Sequence, residues 1–129
     1  MFIRKLTTII AALACGVLMT TAAAADLPIA KKIELQAAMQ RYIDAHLIDG
    51  AIIRVDPDTG ALRRYTPAGP HPNIVEVGKF FVLCADFRDE NGKVVNFDFF
   101  LAPGKHGPVV FQAAIDDPQP LVMFMRASG

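Results

Sequence analysis

Cys84, Asp86, Asn96 and Asp98 are the residues whose types and spacing first invite chemistry. They alternate along two apolar stretches, 79–88 and 93–102, so period-two structure places all four on one face. Two carboxylates within reach of each other can serve as acid and base, and with an amide between them they can grip a hydroxylated ligand. Phe100 lies on the same face and would add the apolar wall that a small-ligand pocket needs. The plainer reading is the polar stripe that an antiparallel sheet ordinarily shows to solvent.

The thiol argues against nucleophilic catalysis. A reactive cysteine needs a nearby cation, histidine or helix N-terminus, whereas Asp98 opposite Cys84 would raise its pKa. Cys84 therefore reads as a packed, inert thiol, with an intermolecular disulfide as the alternative. His46, His71 and His106 show no helical i, i+4 metal spacing, although His71 and His106 both fall in proline- and glycine-bearing loops that can meet. Met123 and Met125 would share a strand face as soft ligands for Cu(I), or fill core. No phosphate loop, dinucleotide fingerprint or Gly-x-Ser-x-Gly elbow occurs, so neither a cofactor nor a metal is expected.

The elements that must position these residues follow from the pattern. Strands 79–88 and 93–102 flank Asp89-Glu90-Asn91-Gly92, which admits a two-residue or a three-residue turn. The two-residue turn would set Phe87 against Asn96 and Ala85 against Asp98. The three-residue loop pairs Phe87 with Val95, Ala85 with Phe97, Leu83 with Phe99 and Phe81 with Leu101. A one-residue slip flips a whole face, so the second register is expected, with Cys84 opposite Asp98 and Asp86 opposite Asn96.

Upstream, residues 26–49 read as one amphipathic helix with Leu35, Met39, Tyr42 and Ile43 on its stripe, and Ile29 and Ile33 extending it. Asp26 is the expected N-cap, Pro28 falls in the first turn, and Gly50 is the expected stop. Residues 51–55 and 61–65 form a hairpin around Asp56-Pro57-Asp58-Thr59-Gly60. Residues 66–72 hold three prolines and a glycine and are expected to be a loop. Residues 109–115 read as a strand, and 121–126 as one further strand.

The implied fold is α+β: one N-terminal helix packed on an antiparallel sheet of about five or six strands, cystatin-like or roll-like. Residues 55–62 are similar to the acidic strand-turn of peptidase-propeptide (PepSY) domains. That likeness covers eight residues, mostly general hairpin chemistry, and transfers no function. The Gln-x-Val-x-Gly loop of the cystatin inhibitors is absent.

Residues 1–25 have the make-up of a secretory signal: Arg4 and Lys5, an apolar run, then alanines ending at Ala25. Export to the periplasm or the extracellular space is the expectation, with 26–129 as a single domain. Cleavage would remove two of the 13 basic side chains and none of the 13 acidic ones, which leaves a mildly acidic domain. That charge gives no reason to expect nucleic acid as a partner, and the mature domain is not expected to embed in a membrane. Cys84 would remain as the one thiol, so the core and not a disulfide must hold the fold.

The expected function is an exported binding or accessory module that meets a small ligand, an envelope protein or a second copy of itself. Asp86, Asn96, Asp98 and Phe100 are the candidate contacts. The rival readings are a small isomerase or hydrolase using Asp86 and Asp98, and a structural homodimer linked through Cys84.

Overall fold

In the computed structural model, which describes residues 26–129, five strands form one antiparallel sheet in the order β1-β2-β3-β4-β5. The strands are β1 (Ile52–Val55), β2 (Leu62–Val77), β3 (Phe80–Arg88), β4 (Val94–Gly104) and β5 (Gly107–Ile115). Helix α1 (Ile29–His46) precedes the sheet and helix α2 (Gln119–Ser128) follows it. The signal-sequence reading lies outside the described residues. Among the described residues no helix is long and apolar enough to cross a membrane.

The β3–β4 hairpin has the register that face matching demands. Phe87 pairs with Val95, Ala85 with Phe97, Leu83 with Phe99 and Phe81 with Leu101. The turn is the three-residue one. Asp89 N–H donates to Lys93 O at 3.0 Å, and Gly92 takes φ +76, the left-handed conformation that a residue without Cβ adopts at little cost.

One face of this hairpin makes the main core. Phe87, Phe97, Phe99, Leu83 and Leu101 are fully buried beneath Leu35, Ala38, Met39 and Ile43 of α1. These four helix positions follow i, i+3, i+4, i+8, the stripe of an amphipathic helix. Phe87 stacks on Phe97 with ring centroids 3.9 Å apart, and Tyr65 meets Phe97 edge-on at 5.3 Å. Each buried aromatic contributes about 1.5–3 kcal/mol of apolar burial.

The helix boundaries differ from expectation at both ends. Pro28 occupies the N-cap and no side chain caps the helix, so Asp26 does not serve. Ile29 and Ile33 are exposed rather than part of the buried stripe, because they share the other side of α1 with Lys32, Gln36 and Gln40, while Lys31 of the same turns lies over the Phe81 ring of the sheet. At the other end the chain leaves the helix at Leu47 in extended conformation. Gly50 (φ +79) instead forms a tight turn with Asp49 (φ +51) that closes a bridge between Ile48 and Ala51. Positive φ at both central residues is the type I′ requirement.

Two further expectations are corrected. Residues 66–72 belong to β2, which pairs with β3 through two irregularities, between Pro67 and Gly69 and between Pro70 and Ile74. Proline is tolerated here because β1 covers β2 only from Leu62 to Tyr65, so the outer edge beyond asks for no donor. The 121–126 strand is replaced by α2, whose first turn holds Pro120. A proline suits a helix start and not a ladder, and the i, i+3 pair Leu121 and Phe124 faces the sheet. The fold is thus α+β with two helices, one on each side of a five-stranded sheet.

Candidate functional site

The second face of the sheet carries the residues singled out above and divides into two halves. Its apolar half is Val82, Phe100 and Ala114, covered by Leu121 and Phe124 of α2. A bulge in β5 opposite Phe100 and Leu101 leaves Phe111 unpaired, and its ring reaches both Phe80 and Phe100. Phe100 is buried against Phe124 with centroids 5.8 Å apart, so it serves here as part of a small second core.

The polar half is built on the cross-strand pairs Cys84–Asp98 and Asp86–Asn96. Cys84 Sγ donates to Asp98 Oδ1 at 3.0 Å, and Asn96 Nδ2 donates to the same oxygen at 2.7 Å. Asp98 is 4 % exposed, the one buried charged residue among those described. Burial together with the Asp98 carboxylate pushes the Cys84 thiol up to about 12. At neutral pH the sulfur is therefore a hydrogen-bond donor and not a thiolate.

Asp86 has a different partner. His71 Nε2 lies 2.7 Å from Asp86 Oδ1, on the side of the cluster away from Asp98. A carboxylate only accepts, so Nε2 carries the hydrogen. The second β2 irregularity makes this contact: three residues, His71, Pro72 and Asn73, stand where β3 offers Cys84 alone. Such an insertion re-aims a side chain, here His71 toward β3. Gln36 Nε2 of α1 donates to His71 O at 3.3 Å and ties the bulge to the helix.

The sequence-derived residues Asp86, Asn96 and Asp98 thus do come together on one face, and Phe100 stands apart under α2. No hydrogen bond joins Asp86 to Asp98; each carboxylate is engaged by other groups. His71 was missed as a member because its segment reads as a loop, and no local signal marks the bulge. His71 and His106 do not meet. Met123 and Met125, now on a helix at i, i+2, point apart and form no pair. Among the described residues no group of three or more His, Cys, Asp or Glu side chains is arranged to hold a metal ion.

Cavities lie elsewhere. Five surface clefts on the described residues have no wall from Cys84, Asp86, Asn96 or Asp98. One of 430 Å³ opens between β1, the last turn of α1 and the Phe97 and Phe99 rings. Another of 550 Å³ lies between α1 and the β4–β5 turn, with Arg41, His46, Lys105 and His106 in its walls.

The chain matches no family model, no curated protein and no solved structure, so the site rests on this geometry alone.

Proposed function

We propose that the protein is an exported binding or accessory module without catalytic activity of its own. The observation that carries this reading is the mutual satisfaction of the polar cluster. Asp98 accepts from both Cys84 and Asn96, and Asp86 is taken by His71. A working nucleophile or acid–base pair needs a group free to meet substrate with a pKa near the operating pH, and the thiol is driven the other way. Surface clefts on the α1 side of the sheet give a module somewhere to bind.

The rival reading, a small hydrolase or isomerase, draws on the half-exposed His71–Asp86 pair, since a histidine oriented by a carboxylate is a common general base. The two separate in one experiment. The purified protein is incubated with a panel of anionic, neutral and cationic metabolites, with thermal stabilisation and chemical conversion both measured. A module is stabilised by a compound that it leaves unchanged. Conversion that disappears in Asp86→Asn would replace the module with an enzyme, and the absence of any stabilisation would sink the module reading.

A further inference from the structure

The two outer strands of the sheet each have a free edge: β1 pairs only with β2, and β5 only with β4. Consecutive residues Ile52, Ile53 and Arg54 of β1 line the 430 Å³ cleft, and Ala113 of β5 contributes to it as well. Consecutive strand residues point to opposite faces, so this cleft runs along a strand edge and not over one face. The exposed Ile48 lines it as well, with Phe97 and Phe99 of the main core behind.

The 550 Å³ cleft adjoins this one. Tyr42, Ala45 and His46 at the end of α1 line both. Past them, Arg41, Lys105 and His106 gather in the 550 Å³ cleft, and no carboxylate lines either cavity. Among the described residues Arg41, Arg54 and Lys105 make no salt bridge, whereas Arg63 is held by Glu90, Asp56 and Asp89. The α1 dipole accounts for His46 in its last turn but not for Arg41 before it. It does not account for Lys105 and His106, which come from a different element.

Adjoining clefts with largely apolar walls, whose charged residues are all basic and include Arg41, Arg54 and Lys105 without a salt-bridge partner, are complementary to a molecule with an apolar body and an anionic head. We propose that these adjoining clefts bind an amphipathic anion, its aliphatic or aromatic body along Ile48 and Ile53 and its acidic head between Arg41 and Lys105. The inference rests on the binding-module reading and names the site and ligand class that the reading leaves open.

The test uses the purified protein and three probes in calorimetric titration: decanoate, decyltrimethylammonium and acetate. Decanoate is expected to bind at least about tenfold more tightly than either the cationic chain or the head group alone. Arg41→Ala combined with Lys105→Ala should weaken decanoate by about tenfold or more, and Ile48→Ser on the apolar side should weaken it as well. All three positions are exposed, so the variants keep their fold, and circular dichroism checks it.

Equal binding of the cationic chain, indifference to the double substitution, or no decanoate binding at millimolar concentration would each overturn the proposal. Cosedimentation with anionic phospholipid vesicles in the absence of decanoate binding would also overturn it, by assigning the cations to a membrane surface. Failure here with thermal stabilisation by some other compound removes the groove and leaves the module. Turnover of a metabolite with decanoate still bound removes the module and leaves the groove.

Discussion

Cys84 and Asp98 face each other across β3 and β4, the thiol donating to a carboxylate oxygen at 3.0 Å that also accepts from Asn96. A buried carboxylate needs such donors, because an ionised group taken out of water without partners costs several kcal/mol. The pair therefore works in both directions: Cys84 and Asn96 keep Asp98 tolerable in the sheet, and Asp98 keeps Cys84 protonated.

Substituting Asp98→Ala removes the shared acceptor and leaves two donors facing each other. A loss of about 1–3 kcal/mol in unfolding free energy is expected, read by urea denaturation. The same variant should react faster with a thiol-specific reagent at neutral pH, since the carboxylate no longer holds the proton on sulfur. An unchanged rate would mean that burial alone sets the thiol's behaviour.

The raised thiol pKa makes stability depend on alkaline pH. The folded state holds its proton up to about 12, whereas the unfolded thiol releases it at its ordinary, lower value. The stabilisation is fully present below the unfolded value and is lost as pH rises through the folded one. The denaturation midpoint should therefore fall as pH climbs toward about 12, and Cys84→Ala should flatten that decline.

Two glycines separate conformational from steric demand. Gly92 has φ +76 with open space where a Cβ would stand, so Gly92→Ala should cost about 1–2 kcal/mol from backbone strain alone. At Gly104 a Cβ would lie 2.5 Å from Gly107 O and 2.6 Å from Val109 Cγ2, in the hairpin that carries Lys105 and His106. Gly104→Ala has to push backbone apart, and the cost should exceed that of Gly92→Ala in parallel denaturation curves.

Phe124 is the anchor of α2, in edge contact with Phe80 at 5.7 Å and Phe100 at 5.8 Å. Phe124→Ala should release the helix from the sheet before the sheet itself opens. Amide exchange across α2 should accelerate strongly while Leu83, Phe97 and Phe99 stay protected, with a global loss of about 1–3 kcal/mol, below that of a fully buried phenylalanine.

What the sequence disclosed divides along a physical line. The β3–β4 register was legible because strict alternation leaves one arrangement in which Phe87, Ala85, Leu83 and Phe81 all meet apolar partners. That same register brought Cys84 to Asp98 and Asp86 to Asn96. The span 66–72 was not legible as strand, because its prolines count against a ladder unless the outer edge is known to be unpaired, which only topology decides. His71 was lost with it. The run Leu121 to Met125 is apolar at every position, so it carries no period, and the prolines before it were the sole sign of a helix. The cationic groove draws on α1, β1 and the β4–β5 turn, which no local pattern brings together.

Cys84 is a neutral donor held by Asp98. Direct titration of the thiolate by its ultraviolet absorbance, in wild type and in Asp98→Asn, tests that most closely. The wild-type midpoint should lie at about 12 and move down in the variant. A wild-type midpoint at or below the ordinary thiol value of about 8.5 would contradict the account, and would return Cys84 to the candidates for a reactive site.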